Sequence, residues 1–397
     1  MERLDTILQA HVAHGQDTTD SLLGAAFVVV DKNGPLYTGA AGRIDFDVAA
    51  KAFAGDSFTW VASLTKLLTT TCLMQLVERG LADLDSDVRD LVPELGRLQI
   101  LRGFDADDMP MLDDNVDPVT LRMLLTHTVG LAYDLAEPDL IKWSAKVGRT
   151  AINLDWSRQG FTTPLMFAPG HGWLYGTSLD WAGLVLEQLT GQRLSQYMQA
   201  HIFDPLDMKD TGFWPEQLPH TASRTVPSAH RDTRTRRLEP VKPPMPREHE
   251  MESGGAGLFT TANDYARFLC ALLGGRLVGE ATVQEMFAPQ LSEKQAAMLQ
   301  ATERQRGRQA AFAPEFPPGL RLDHGLGGLL NMEEAPGKRR KGSLLWMGMC
   351  NSRWWMDREA GIAAVMMVNV LDFGDATVVS LYDELVTAVY AHLVAPS

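Results

Sequence analysis

Cysteine is scarce in this chain, which has only Cys72, Cys270 and Cys350 among its 397 residues. An odd number of cysteines in apolar surroundings argues against a disulfide framework and favours small buried side chains. Long apolar runs are also missing. No stretch approaches the roughly eighteen residues of a membrane span, and no leading segment has the charged start and apolar core of a secretory signal. We therefore expect an intracellular, cytoplasmic protein.

Basic residues are in deficit, and the formal net charge is -14. A nucleic acid or an anionic membrane surface would require a basic face, so neither is expected as a partner. The histidines show no metal-ligand spacing. The glycine-rich segment 253–257 lacks the lysine that would complete a phosphate-binding loop. The sequence therefore predicts neither a metal nor a cofactor.

A serine three residues before a lysine, Ser63-Leu64-Thr65-Lys66, stands at the head of an apolar run that ends near Gly80. Residues i and i+3 share one helix face, so the lysine amine can reach the serine hydroxyl. In the first turn, unpaired N–H groups and the helix dipole favour a developing anion. This pattern predicts a nucleophile, although two fixed letters also occur by chance in a chain of this length.

A second element lies about a hundred residues later, where Tyr175 sits in a Gly/Thr/Ser turn before a helix predicted over 179–190 and stopped by Gly191. If Lys66 stays cationic beside it, the phenol proton is easier to lose. A phenolate could then take the serine proton and return it to the leaving group. The alternative is that Tyr175 is an ordinary interfacial aromatic residue.

These motifs resemble the serine β-lactamase and penicillin-binding-protein superfamily. Within it, the chain is most similar to the class C, esterase-type branch and to the fungal lovastatin-pathway acyltransferases, which are transesterases. The resemblance implies an α/β fold of the serine β-lactamase type, with an antiparallel sheet flanked by helices and an inserted, mainly helical lobe. It also implies catalytic roles for Ser63, Lys66 and Tyr175. Besides these residues, the phrases that carry the resemblance are Leu124-Leu125-Thr126-His127-Thr128, Leu179-Asp180-Trp181-Ala182-Gly183, Gly325-Leu326-Gly327-Gly328 and Arg339-Arg340-Lys341-Gly342-Ser343-Leu344.

The superfamily's third catalytic element is a strand triplet, for which two candidates compete. Lys341-Gly342-Ser343 follows other basic residues and is typical of a solvated turn. Trp346-Met347-Gly348 lies in an extended apolar run and is favoured. By resemblance, the N–H of Met349 would then join that of Ser63 in an oxyanion hole. The favoured triplet has no lysine to anchor a β-lactam carboxylate, which puts lactamase activity in doubt.

Strand patterns occur near both ends of the chain. Residues 25–39 predict a hairpin, 361–369 a buried strand and 375–393 a closing helix. We expect an α/β lobe from residues 1–80 and 255–397, with a mainly helical lobe, 81–254, inserted and Ser63 at the junction. Thr261 and Asp264 predict a capping box for the helix that follows.

Four aromatic residues are candidates for an acyl pocket, although core packing is the alternative for each: Tyr133, Trp173, Phe259 and Trp346. His127 is expected to fix a local turn, and the superfamily does not use it in catalysis.

Together these features predict a serine acyltransferase or esterase that works through a Ser63 acyl-enzyme. Its partners would be a small-molecule thioester or ester donor and an alcohol acceptor of the secondary-metabolite kind, with an acyl carrier protein as a candidate donor. Two alternatives remain. One is a hydrolase of a small ester, amide or lactone, and the other is a catalytically silent binding protein.

Overall fold

The computed structural model describes residues 1–305, 312–371 and 373–394. The strands in these residues are β1 (Gly24–Asp31), β2 (Gly34–Gly42), β3 (Thr59–Trp60), β4 (Gln99–Phe104), β5 (Pro110–Asp114), β6 (Ala229–Arg231), β7 (Leu238–Pro240), β8 (Phe259–Thr260), β9 (Leu322–His324), β10 (Leu329–Asn331), β11 (Leu344–Met347), β12 (Arg353–Asp357) and β13 (Ile362–Met367). The α-helices are α1 (Glu2–Ala10), α2 (Thr65–Glu78), α3 (Pro93–Gly96), α4 (Leu121–Leu125), α5 (Pro138–Lys146), α6 (Arg158–Phe161), α7 (Ser178–Thr190), α8 (Leu194–Met198), α9 (Ala262–Leu273), α10 (Glu280–Met286), α11 (Glu293–Gln305) and α12 (Ala376–His392). Single turns of tighter helix cover Ala62–Leu64, Asn153–Asp155, Pro215–Gln217 and Pro219–Arg224, and a wider turn covers Gln199–Phe203.

The main sheet joins strands from both ends of the chain. Seven strands follow the order β2-β1-β13-β12-β11-β10-β9, and every neighbouring pair is antiparallel. The central strands β12 and β13 are buried along their whole length, because helices cover the sheet. Helix α9 packs across β1 and β13, α1 packs on β2, and α12 packs on α1. This arrangement confirms the predicted α/β class with an antiparallel sheet flanked by helices.

Helix α2 carries the residues that follow the predicted nucleophile. Its side chains are buried from Thr65 to Leu76, and it packs against α7 and α8. A helix that is buried on all sides must be surrounded by other elements of the fold. Ser63 lies in the single turn Ala62–Leu64 directly before α2, so the start of a deeply buried helix fixes its position.

The predicted bounds of two helices are accurate to within one residue, and those of the first hairpin to within three. The helix expected over 179–190 is α7, and Gly191 ends it at a φ of 67°. The hairpin expected over 25–39 is β1 with β2, and the closing helix is α12, whose first turn is capped by the Asp375 carboxylate. The boundaries of the two lobes stay a prediction.

All three cysteines are buried and free, as their apolar surroundings predicted. Among the described residues, no helix is both long and apolar enough to cross a bilayer.

Candidate active site

Ser63 is held in a turn that strains the preceding residue. Ala62 has a φ of 47°, a left-handed conformation that costs a residue with a Cβ roughly 1–2 kcal/mol. Two hydrogen bonds fix this turn: Val61 N–H donates to Leu258 O at 3.0 Å, and Thr65 Oγ1 donates to Ala62 O at 2.7 Å. The result is a rigid serine that is 9% exposed and lines a cavity.

Lys66 lies one turn along from Ser63, with a side chain that is 2% exposed. Its Nζ donates to Ser63 Oγ at 3.1 Å, to Tyr133 Oη at 3.2 Å and to Gly255 O at 2.8 Å. An ammonium group has three N–H donors, so these three acceptors match it in number. The lysine is therefore held in a single orientation beside the serine.

Tyr175 reaches Ser63 from the loop before α7. Its hydroxyl donates to Ser63 Oγ at 2.6 Å, and its ring centroid lies 4.8 Å from Lys66 Nζ. Gly176 permits this approach, because a Cβ there would lie 2.4 Å from Leu131 O. The structure thus brings together the serine, lysine and tyrosine named from the sequence. Their catalytic roles stay predictions.

Tyr133 adds a second phenol to this group. The sequence suggested it only as a pocket aromatic, yet its hydroxyl accepts from Lys66 and its ring lies 5.4 Å from that of Tyr175. Burial, reinforced by the nearby Tyr175 and Asp180, holds the pKa of Tyr133 well above its usual value. Tyr133 is therefore a neutral phenol at physiological pH.

The favoured strand triplet lies directly against the serine turn. Gly348 follows β11, and a Cβ there would lie 2.5 Å from Val61 O. Its N–H donates to Ser352 O at 2.8 Å, whereas the N–H of Met349 has no acceptor among the described residues. Trp346 is buried with its ring 5.0 Å from that of Tyr175. Lys341 is exposed at the opposite end of β11. The oxyanion role of Met349 stays a prediction.

Of the other two aromatic candidates, Trp173 lies in the core and Phe259 is partly buried against it. Trp173 is 2% exposed and packs between His127 and His324, with centroid distances of 6.5 and 6.2 Å. Phe259 pairs with Trp60 across β3 and β8 and stacks on Phe58 at 5.7 Å. Neither of these residues nor Trp346 is among those that line the cavity at Ser63.

That cavity has a volume of about 320 Å³, and most of its wall is apolar. Tyr133 and Met349 are the pocket candidates that contribute to it. Such a wall suits an uncharged acyl chain or alcohol. The lining residues are Trp60, Ala62, Ser63, Ala132, Tyr133, Asp134, Leu135, Ala136, Glu137, Asn153, Leu154, Trp156, Phe161, Leu174, Tyr175, Asp180, Ser253, Ala256, Phe312, Met347, Met349 and Phe373.

Two buried histidines, His127 and His324, pack against the loop that carries Trp173 and Tyr175. The His127 ring lies 4.8 Å from Tyr175, and its carbonyl accepts from Leu174 N–H at 3.0 Å. Burial, with smaller effects of His324 and Lys66, holds the pKa of His127 well below its usual value. Burial likewise lowers the pKa of His324 to about 4. Both rings are neutral at physiological pH. His127 packs against Tyr175, and His324 packs against His127 and Trp173. His127 has a φ of 59°, which agrees with the expectation that it lies in a local turn.

Among the described side chains, no group of three or more His, Cys, Asp or Glu residues could hold a metal ion.

Comparisons with known proteins agree with the geometry. The Beta-lactamase family model matches residues 4–387. A lovastatin esterase of Penicillium rubens is 33% identical over 393 residues, covering 93% of this chain and 94% of that protein. A monacolin J acid methylbutanoyltransferase of Aspergillus terreus is 34% identical over 342 residues, covering 83% of this chain and 81% of that protein. The unliganded structure of simvastatin synthase from Aspergillus terreus superimposes with a TM-score of 0.88 and 31% identity, covering 98% of this chain and 97% of that one.

Proposed function

Since the chain belongs to the Beta-lactamase family, we propose that it is a serine acyltransferase or esterase that works through an acyl-Ser63 intermediate. One observation carries the proposal: Ser63 Oγ receives hydrogen bonds from both Tyr175 Oη, at 2.6 Å, and Lys66 Nζ, at 3.1 Å. A serine hydroxyl is a weak nucleophile until a neighbouring group takes its proton. The tyrosine and lysine are the groups in place to do so.

In the first half-reaction, Ser63 Oγ bonds to the acyl carbon of an ester or thioester. In the reactive form Tyr175 is a phenolate beside the Lys66 ammonium, so Tyr175 Oη accepts the proton of Ser63 Oγ as the new bond forms. Tyr175 then protonates the leaving alcohol or thiol as its bond to the acyl carbon breaks. In the second half-reaction an acceptor hydroxyl gives up its proton to Tyr175 Oη and bonds to the acyl carbon. The bond between the acyl carbon and Ser63 Oγ then breaks, and the proton passes to Ser63 Oγ.

The negative charge on the carbonyl oxygen needs donors in both half-reactions. Ser63 N–H belongs to the start of a helix, where N–H groups have no partner in the helix. Together with Met349 N–H, it is the proposed oxyanion hole. Each such donor is typically worth about 3–4 kcal/mol of barrier.

The relatives suggest the substrate class. Since one relative is named for methylbutanoyl transfer to monacolin J acid, we propose a short branched acyl thioester as donor and a polyketide-type alcohol as acceptor. The apolar cavity wall is consistent with both. The donor thioester is either free or attached to an acyl carrier protein, and comparison of the two forms at equal concentration identifies the source. The cytoplasmic location stays a prediction from the sequence.

Hydrolysis is the second candidate, because a relative that covers 93% of this chain is named an esterase. The silent-binding alternative is weakened by the intact hydrogen bonds among Ser63, Lys66 and Tyr175.

Transfer and hydrolysis are separated by feeding a short branched acyl thioester with and without the alcohol, and by quantifying ester against free acid. We expect ester to dominate, since a bound alcohol has a high effective molarity relative to bulk water. Free acid alone, formed at a rate indifferent to every alcohol tried, would identify a hydrolase. The absence of both products would contradict the proposal.

A further inference from the structure

Asp180 is a buried carboxylate whose place the proposed chemistry does not explain. It is the third residue of α7, and its side chain is 2% exposed. An acidic residue in the first turn stabilises a helix through the dipole, but an exposed position serves that purpose. Burying a carboxylate is costly unless hydrogen bonds compensate for the lost water. The partners of Asp180 therefore indicate what the burial achieves.

Asp180 organises the chain segment 253–257. Its Oδ1 accepts from Ser253 Oγ and, at 3.1 Å, from Gly255 N–H. Ser253 Oγ in turn accepts from Ala256 N–H at 2.9 Å. A single carboxylate oxygen thus fixes the conformation of a turn that is distant in sequence.

The same turn presents a carbonyl to Lys66. Gly255 O accepts from Lys66 Nζ at 2.8 Å, the shortest of the three hydrogen bonds of that amine. A carbonyl oxygen can only accept, so this contact fixes one N–H of Lys66 and leaves the others for Ser63 and Tyr133. The orientation of the lysine depends on where the carbonyl is held.

The fit around the turn is too close for other residues. A Cβ on Gly255 would lie 2.7 Å from Asp180 Oδ2, and one on Gly254 would lie 2.5 Å from Leu179 O. On the α2 side, Thr69 Oγ1 donates to Gly254 O at 2.7 Å. The turn is therefore clamped between α7 and α2, with Lys66 beside it.

We infer that Asp180 is a positioning residue. Through Ser253 and Gly255 it holds the carbonyl that keeps Lys66 in hydrogen-bonding distance of Ser63. This inference rests on the proposed function, because it assigns Asp180 a task in the activation of Ser63.

The chain offers a matched control in Asp264. It is the third residue of α9, the residue is also 2% exposed, and its Oδ2 accepts from a backbone N–H, that of Asp210, and from the hydroxyl of Thr211. Unlike Asp180, Asp264 also accepts a hydrogen bond from Arg267, and its partners do not contact Ser63, Lys66 or Tyr175 in the hydrogen bonds of the described residues. Loss of stability alone should affect both positions alike.

The experiment compares the full-length wild type with Asp180→Ala, Asp180→Asn and Asp264→Ala. The measurements are Tm, kcat and KM for short and long p-nitrophenyl esters, and the rate of Ser63 labelling by a small alkyl fluorophosphonate, followed by intact mass spectrometry. In labelling, Ser63 Oγ bonds to phosphorus and fluoride leaves, so the rate reports activation of the serine.

We expect Asp180→Ala to lower the labelling rate and kcat by about 10²-fold, as small displacements of catalytic groups do. The loss should be equal for all esters, with little change in KM, since the residue acts through Lys66. Asp180→Asn keeps an acceptor oxygen and should recover about tenfold of that loss. Asp264→Ala should lower Tm by a similar amount and leave labelling at the wild-type rate. If Asp180→Ala does not fold, Ser253→Ala removes one link of the same chain and should slow labelling about tenfold.

Five results would overturn the inference. Normal labelling of Asp180→Ala, or of Ser253→Ala where that replaces it, would show that Lys66 needs no such support. An equal loss in Asp264→Ala would assign the effect to stability, and an equal loss in Asp180→Asn would assign it to the charge. A change confined to KM for some esters would make Asp180 a substrate contact. A wild type that forms no Ser63 adduct would overturn the proposed function together with the inference.

Discussion

At the scale of single residues, the proposed chemistry depends on Ser63. Ser63→Ala should abolish turnover and any covalent acyl adduct, because the hydroxyl held by Tyr175 and Lys66 is the proposed point of attachment. Intact mass spectrometry after incubation with an acyl thioester measures the adduct. Ser343→Ala is a suitable control, since Ser343 is 1% exposed and bonds to Asn331. An undiminished adduct in Ser63→Ala would contradict the assignment.

The second prediction concerns Tyr175 and Lys66, the two residues proposed to carry the proton. Tyr175→Phe and Lys66→Ala should each lower kcat by at least about 10²-fold with the fold retained, because neither replacement can carry a proton. Steady-state kinetics and circular dichroism test this. Tyr37→Phe is the matched control, since its phenol donates to Asp5 at the α1 side of the sheet. Near-normal rates in either site variant would leave Ser63 without its proposed base.

The sequence predicted which side chains would meet better than it predicted how they are held. Ser63 and Lys66 share a helical repeat, and Tyr175 lies in a recognisable turn, so residue type and spacing carried the information. The contact that orients Lys66 is a backbone carbonyl, at Gly255, and every residue has a carbonyl. The sequence did not indicate the contact between the Tyr133 hydroxyl and Lys66 either. The loop that holds Tyr133 contains no recognisable motif, so the residue was predicted only as an aromatic side chain of the pocket. The one indication in the sequence that Lys66 is held in this way was Asp180, an aspartate within the otherwise apolar segment 179–183.

At the scale of elements, the third prediction concerns the end of β11, where Gly348 lies against the serine turn. Gly348→Val should lower kcat by about 10²-fold or more, because the Cβ would meet Val61 O and displace the strand from the serine turn. Lys341→Ala should change kcat little, since Lys341 is exposed in the turn before β11.

Gly15→Val controls for the added bulk, because a Cβ at Gly15 would meet no atom within 4 Å. Comparing kcat and Tm of the three variants separates damage to the site from general destabilisation. A larger loss in Lys341→Ala than in Gly348→Val would place the oxyanion strand at the other triplet.

Element bounds followed from periodicity and stop signals, whereas hydrogen bonds at their ends did not. The capping box expected from Thr261 and Asp264 is only half formed. Thr261 Oγ1 accepts from Asp264 N–H at 3.2 Å, as expected, but the Asp264 carboxylate bonds to Asp210 and Thr211 instead. A capping pattern is local, so it cannot show that a distant segment will compete for the carboxylate.

At the scale of the whole molecule, only part of the strand order of the main sheet could be predicted from the sequence. The pairing of β1 with β13 follows from buried strands at both termini, which the sequence contains. The short strands β9 and β10, of three residues each, carry too little alternation to be predicted. Nevertheless, β9 places His324 against His127 and Trp346, two rings that pack on Tyr175.

The buried histidines couple this packing to pH, which makes the last prediction. His324 donates from Nδ1 to Gly325 O at 2.6 Å, and its ring lies 5.6 Å from His127 and 5.7 Å from Trp346. Burial lowers its pKa to about 4. The unfolded chain, with a pKa of about 6.5, therefore binds more protons than the folded one between those values. The resulting stability is present above about pH 6.5 and is lost as the pH falls towards 4.

A comparison of the wild type with His324→Gln isolates this effect from the carboxylates, which both proteins share. Glutamine cannot titrate, so its curve lacks the histidine contribution. The stability deficit of the variant at pH 7.5 should shrink by about 2 kcal/mol at pH 5, since each pH unit below 6.5 is worth about 1.4 kcal/mol for one such group. Urea unfolding at both pH values gives the two free energies. Parallel loss of stability in the two proteins would mean that His324 accepts a proton in the folded state as readily as in the unfolded one, and that burial does not keep it neutral.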